Sequence, residues 1–205
     1  MHQLQCQCGL VRAEVDCRGT HNRLICYCTD CQAFGRFVES LAQADGQGAA
    51  DQVKVLDAQG GTEIVQVAQS KLKFSQGEEK LLAVRLSEQG MFRWYTRCCH
   101  TPIGNTMASR GGAFIGLIHS CLTRPQLNAD FGDQVAHLNT NTALGTPKPQ
   151  QHGLFRVISR FLWLLVSERM SGRYLQSPLF NPDGSPKIVP RVIDVTEHAA
   201  LKKPV

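Results

Sequence analysis

Short stretches of alternating apolar and polar residues dominate the first half of the chain. Leu10-Val11-Arg12-Ala13-Glu14-Val15 places every second side chain on one apolar face, the period-two pattern of a half-buried strand. Comparable short runs recur at Val53–Leu56, Glu63–Val67, Leu81–Leu86 and Phe92–Tyr95. Turn-forming pieces separate them: Asp45-Gly46-Gln47-Gly48, Gly60-Gly61 and Ser75-Gln76-Gly77. The pattern predicts a mainly β body. One short helix is expected from Thr29 or Asp30 through Ala42, because a capping residue opens it and Gly46 follows its end, with Gly35 its least suited member. Gly112–Leu122 is largely apolar without a deciding period, so strand and helix both remain open there.

A break follows at 139–150, where Asn, Thr, Gly and Pro cluster around Thr146-Pro147-Lys148-Pro149. Beyond it the period changes to that of a helix. Leu154, Phe155, Ile158, Phe161, Leu162 and Leu165 share one face over 154–169, with Arg156, Ser159, Arg160 and Ser167 opposite. A polar face with so few charges is expected to leave Leu154, Ile158, Phe161 and Leu165 packed on the protein's own core, in preference to a membrane surface. The segment from Ser177 to Val205 carries five prolines and little periodicity, which predicts an extended tail lying over the body. The expected organisation is a β domain over 1–145, with 146–205 supplying an amphipathic helix and a tail packed on it.

With 205 residues, 42% hydrophobic and 19% charged, the composition is that of a globular protein and excludes disordered and collagen-like classes. The longest uninterrupted apolar run, Phe161–Val166, falls far short of the roughly 20 residues a membrane span needs. Met1-His2-Gln3-Leu4-Gln5-Cys6 lacks the basic and apolar regions of a secretory leader, so a cytoplasmic location is expected. The net charge of +5 is unevenly placed: residues 1–146 hold 13 basic and 13 acidic groups, and residues 147–205 hold 9 and 4. No dense basic stripe accompanies it, so nothing points strongly to nucleic acid.

The cysteines change the picture. There are nine, an odd number, and in a reducing compartment this favours metal ligation or thiol chemistry over a disulfide framework. Cys6-Gln7-Cys8-Gly9 is a C-x-C-G unit, Cys26-Tyr27-Cys28-Thr29-Asp30-Cys31 a C-x-C-x-x-C unit, and Cys98-Cys99-His100 a third cluster. Thiolates two or three residues apart on a turning backbone can share one tetrahedral ion. Three thiols within six residues are poor candidates for core fillers, whereas the isolated Cys17 and Cys121 read as small buried apolar residues. Seven clustered cysteines are one short of two closed four-thiolate sites. A structural ion is normally saturated by protein and a catalytic one keeps an open position, so Cys26, Cys28 and Cys31 are the candidates for catalysis.

The segments Cys6–Arg12, Cys26–Cys31 and Arg93-Trp94-Tyr95-Thr96-Arg97-Cys98-Cys99-His100-Thr101-Pro102 resemble the glutathione-dependent formaldehyde-activating enzyme family, which includes centromere protein V-like proteins. The resemblance covers roughly residues 6–106. It implies a zinc-stapled antiparallel β-tent in which Cys6 and Cys8 pair with a later C-x-x-C-G-T-P, here contributing Cys99, around a structural zinc. It also implies a second, exchangeable zinc on Cys26, Cys28 and Cys31, near a glutathione site. Thr96 stands where the family has the first cysteine of its C-x-x-C, and His100 where it has glycine. Cys98 or His100 would then complete the first site. Neighbours on an extended strand point to opposite faces, so Cys98 and Cys99 can share an ion only if the backbone turns there.

Two functions follow as expectations. The first is a carbon–sulfur lyase or thiol-adduct enzyme: zinc on three thiolates binds a glutathione-type thiol and presents it to a small electrophile such as formaldehyde. The second is a non-catalytic module in which zinc only staples the fold and a groove holds a peptide, protein or nucleic-acid partner. Asp30 reads equally as an orienting carboxylate and as a helix-start residue facing the dipole. Arg93 and Arg97 read as solvated strand charges ahead of substrate anchors, His119 and His137 as structural histidines, and Trp94 and Tyr95 as sheet packing.

Overall fold

The computed structural model describes residues 1–46 and 53–202. The expected turn at Asp45-Gly46-Gln47-Gly48 runs past the first limit, and the last three residues of the tail lie past the second. Among the described residues the chain is mainly β. The strands of the amino-terminal half are β1 (His2–Gln5), β2 (Arg12–Val15), β3 (Asn22–Cys26), β4 (Thr62–Ala68), β5 (Leu72–Gln76), β6 (Leu81–Arg85) and β7 (Phe92–Thr96). They are followed by β8 (Pro102–Thr106), β9 (Phe114–Ile118), β10 (Ala136–Leu138) and the short β11 (Arg191–Val192). The helices are α1 (Thr29–Ala44), α2 (Leu127–Phe131), α3 (Leu154–Met170) and α4 (Val195–Lys202).

Two sheets result, a small one in the order β1-β2-β5 and a large one in the order β10-β3-β4-β9-β8-β7-β6-β11. The large sheet is antiparallel except at its two edges, where β10 runs parallel to β3 and β11 parallel to β6. Alternation within its strands sends side chains into two cores. Val65, Val67, Trp94, Ile103, Ile115 and Leu117 meet Leu4, Ala13, Val15 and Leu72 of the small sheet. Ile64, Val84, Tyr95 and Ile118 meet Phe34, Phe37 and Val38 of α1 on the other side. Covered on both faces, β7, β8 and β9 are buried at every position. That is why Gly112–Leu122 shows no period: a strand buried on both sides has no polar face to alternate with.

The expected strands at Glu63–Val67, Leu81–Leu86 and Phe92–Tyr95 lie in β4, β6 and β7, and that at Leu10–Val15 shortens to β2. Val53–Leu56 forms none. Val55 is buried, yet this stretch crosses α1 as irregular chain, and Leu56 occupies the space above Gly35. A Cβ on Gly35 would come within 2.7 Å of that leucine, so the glycine permits the close approach for which the helix accepts it.

The carboxy-terminal segment is built into the body. Phe180 stacks on Phe92 with ring centroids 6.0 Å apart, β11 extends the large sheet beyond β6, and α4 lies against α1. Neither β11 nor α4 was expected from the proline-rich tail. The docking face of α3 also differs from the expected one. Val157, Leu164 and Glu168 are buried, with Phe161 and Leu165 partly covered, whereas Leu154 and Ile158 are 43% and 47% exposed. Leu164 packs on Ala68 and Phe114, and Ser70 Oγ donates to Glu168 Oε2 at 2.7 Å. A charged residue anchored by hydrogen bonds thus helps choose the buried face, information that an apolar period does not carry.

Candidate metal centres

The first centre joins the start of the chain to the β7–β8 turn. Cys6 follows β1, and the sulfur of Cys6 accepts the Val11 N–H at 3.2 Å as the chain turns through Gly9 at φ +76°. Beyond β7 the backbone turns at once: the His100 N–H donates to Thr96 O at 3.0 Å, and His100 itself takes φ +52°. This turn brings both adjacent cysteines to one point, with Cys98 Sγ 3.8 Å from Cys99 Sγ and 3.9 Å from Cys6 Sγ. Cys6 and Cys8 sulfurs are 3.5 Å apart, and all four lie within 4.8 Å of one another. A tetrahedral ion with metal–sulfur bonds of about 2.3 Å holds its sulfurs ~3.8 Å apart, so the four are spaced to hold one metal ion.

Supporting hydrogen bonds converge on Cys99. The hydroxyls of Thr96 and Thr101 lie 3.4 and 3.2 Å from its sulfur, and Thr101 Oγ1 also accepts the Gln7 N–H at 3.0 Å. Burial pushes the Cys99 thiol up, but the hydrogen bonds from Thr101, Thr96 and Cys8 outweigh it and bring the thiol down to about 6. Burial drives Cys98 the other way, well above the usual thiol range. In the metal-free cluster Cys99 is therefore the favoured thiolate, while Cys6 and Cys98, both raised by burial, hold their protons until a cation replaces them. His100 is not among the donors. Its Nε2 lies 2.6 Å from Asp45 Oδ2 at the end of α1, which ties the turn to that helix.

The second centre sits where β3 gives way to α1. Cys26 is the last residue of β3, Cys28 is the N-cap of the helix, and Cys31 lies in its first turn. Their sulfurs also lie within 4.8 Å of one another, with Cys26 and Cys31 buried and Cys28 partly exposed. The Cys31 N–H donates to Cys28 Sγ at 3.4 Å, the cap that a serine or aspartate more often provides. Cys26 is the favoured thiolate: hydrogen bonds from Cys28, Cys31 and Asn139 draw it far below the usual range, and it holds Cys31 protonated. The positive end of the α1 dipole acts in the same direction. Among the described residues no histidine, carboxylate or further cysteine joins this group, so the three thiols can hold a metal ion and leave a coordination position free.

Asn139 was not expected at this centre. Held in the left-handed region at φ +57°, it donates from Nδ2 to Cys26 Sγ at 3.3 Å. Gln32 Nε2 and Thr142 Oγ1 both donate to Tyr27 O at 2.8 Å, fixing the peptide between Cys26 and Cys28. The only trace of these partners in the sequence is the Asn-Thr-Asn-Thr run, which reads as a break. Asp30 lies 3.8 Å from both Arg93 Nη2 and His198 Nε2. Arg93 is buried, contrary to its reading as a solvated charge: it lies over the Phe34 ring at 5.6 Å and donates to Asn105 Oδ1 at 3.2 Å. Arg97 is exposed, as expected.

The other candidates behave as packing groups. Trp94 is fully buried with Nε1 donating to Thr106 Oγ1 at 2.9 Å, and Tyr95 meets Phe37 edge-on at 5.6 Å. His119 is buried and its pKa is lowered by burial, while His137 stacks on His152 at 4.8 Å. Cys17 and Cys121 stand outside both groups, and burial raises both thiols.

Fold and sites together define a mainly β protein with two separate cysteine clusters, each able to hold a metal ion. The chain belongs to the family of unknown function DUF6151, whose model matches residues 1–145. No curated protein matches it. Among solved structures it is similar to a Rhodobacter sphaeroides protein determined by the Northeast Structural Genomics programme. The identity is 18%, over 65% of this chain and 97% of that one, with a TM-score of 0.41.

Proposed function

We propose that the protein is a zinc protein with one structural and one exchangeable site, and that the exchangeable site is a thiol-adduct centre of the carbon–sulfur lyase class. The observation that carries this reading is the unequal ligand count: four sulfurs in one cluster and three in the other. All-thiolate donor sets suit zinc, and a three-ligand set is the arrangement of catalytic sites, which keep a position for water or substrate. Cys6, Cys8, Cys98 and Cys99 would hold the structural ion, and Cys26, Cys28 and Cys31 the exchangeable one. The resemblance to the formaldehyde-activating family is supported by the turn at His100. That family has glycine at this position, and the backbone here takes the positive φ that glycine adopts without strain. Cys98 takes the place of the missing first cysteine, while Thr96 supports Cys99 through a hydrogen bond.

Bound at the triple, zinc would hold an incoming thiol as thiolate at neutral pH. The chain's own part is orientation. Asn139 and the helix start favour Cys26 as a ligand, and the partly exposed Cys28 marks the side from which a thiol arrives. The substrate thiolate would add to the carbonyl carbon of a small aldehyde such as formaldehyde, the carbon–sulfur bond forming as the C=O π bond breaks and the oxygen takes, through solvent, the proton the thiol gave up. The reverse reaction breaks that bond and returns thiol and aldehyde. Glutathione is the expected thiol by resemblance. The burial of Cys26 and Cys31 favours a second reading, in which this site too is a closed staple and the protein is a binding module. Cobalt substitution separates them: millimolar glutathione should alter the ligand-field spectrum of the triple, and Cys28→Ser should abolish the response. An unchanged spectrum with metal present at the triple would favour the staple.

A further inference from the structure

Docking α3 by the face that contains Val157, Phe161, Leu164 and Glu168 turns a second apolar face outward. Phe155, Ile158, Leu162, Trp163, Val166 and Met170 are between 47% and 85% exposed, Phe155 the most. They follow one another at helical spacing along more than four turns of one helix. The helix is not loosely placed. Glu168 is 2% exposed, bonded to Ser70 and to Arg173, and Phe161 meets Phe114 edge-on at 4.9 Å, so the outward face is fixed by the inward one. A contiguous apolar surface of this kind on a folded protein marks an interaction site.

The charges around it specify the partner. The exposed or half-exposed charged residues of α3 are Arg156, Arg160 and Arg169, and among the described residues none of them meets a carboxylate. Trp163 also borders a cavity of about 650 Å³ whose charged lining is Arg18, Lys71, Lys73 and Arg173 against Asp16 and Glu168. An apolar face with Arg156, Arg160 and the cationic cavity along one side and Arg169 at its carboxy-terminal end is complementary to a surface with an apolar interior and anionic headgroups. Two copies pairing through this face would bring arginine against arginine with no acid to offset them, which disfavours self-association. We infer that α3 is an in-plane membrane anchor that seats its outward face in an anionic lipid bilayer. No helix among the described residues is long and apolar enough to cross a membrane, so the contact is peripheral.

The test uses the full chain with vesicles of phosphatidylcholine alone and of phosphatidylcholine with one quarter phosphatidylglycerol. The protein should co-sediment with the anionic vesicles at low salt and be released as salt rises, and Trp163 emission should shift to the blue on binding. Leu162→Ser with Val166→Ser, both on the exposed face, should abolish binding while leaving the thermal transition in place. Arg156→Gln, Arg160→Gln and Arg169→Gln together should weaken it on the order of 100-fold, since each basic residue near an anionic surface contributes about 1 kcal/mol. Folded protein that stays in the supernatant at low salt, or binding untouched by the serine pair, would overturn the inference. So would a concentration-dependent dimer that shifts Trp163 emission without lipid.

Discussion

The two cysteine clusters share one donor type and differ in what closes them. Around Cys6, Cys8, Cys98 and Cys99 the chain returns from residues nearly a hundred positions apart, and each arm supplies two of the four sulfurs. Around Cys26, Cys28 and Cys31 all three donors come from six consecutive residues, and the second arm, β10 with the turn after it, offers Asn139 as a hydrogen-bond donor instead of a fourth ligand. A cluster that joins distant segments would do structural work on the proposed reading, because losing a bound ion would release both. A cluster made by one strand-to-helix junction constrains little that α1 does not already fix, so on the proposed reading an ion bound there would exchange without unfolding the chain.

The sharpest way to break this comparison is to remove one ligand from each side. Cys8→Ser should cost about 4–5 kcal/mol, the range in which losing a structural metal falls, and lower Tm by roughly 10–20 °C in calorimetry. Cys28→Ser should cost no more than about 1 kcal/mol, because serine can keep the helix cap and only a ligand is lost, while eliminating one metal equivalent and the thiol response. Equal losses from the two variants would erase the distinction between staple and exchangeable site.

Smaller effects come from the supporting hydrogen bonds. Asn139→Ala should weaken metal binding at the triple by roughly 10–100-fold, read in a chelator competition, because it removes the donor that favours the Cys26 thiolate. Thr101→Val should cost about 1–2 kcal/mol, since Gln7 N–H and Cys99 both lose a partner. It should also move a pH profile. With its thiol lowered to about 6, Cys99 contributes stability to the metal-free protein that is present above the ordinary thiol range and lost as pH falls through about 6. Ligands must lose their protons to bind, so metal is released on acidification, and Thr101→Val should shift that release to higher pH. A release curve that does not move would remove the threonine from the centre.

The cysteine clusters were the most legible part of the chain: close spacing marked each local group, while the joining of Cys6 and Cys8 to Cys98 and Cys99 followed only from the family resemblance. The choice between Cys98 and His100 was not legible: it depends on a single positive φ at His100, which propensity alone opposes at a non-glycine residue. Asn139 was hidden because a side chain that supports a ligand has no spacing rule. Alternation announced β2, but the short β1, β3 and β5 went unread although each has a face open to solvent, and β8 and β9, buried on both sides, had no polar face to alternate with. The orientation of α3 misled for a related reason. Two apolar stripes lie on that helix, and the buried one includes Glu168, whose partners Ser70 and Arg173 become visible only in three dimensions.

The most direct measurement of the central claim is X-ray absorption at the metal edge of protein purified without chelator, with metal content determined on the same sample. Two zincs per chain are expected, averaging between three and four sulfurs each with one lighter ligand at half occupancy, and that lighter ligand should give way to sulfur when a thiol is added. A single zinc per chain, or two zincs already fully ligated by sulfur and indifferent to added thiol, would contradict the division into a closed and an open centre.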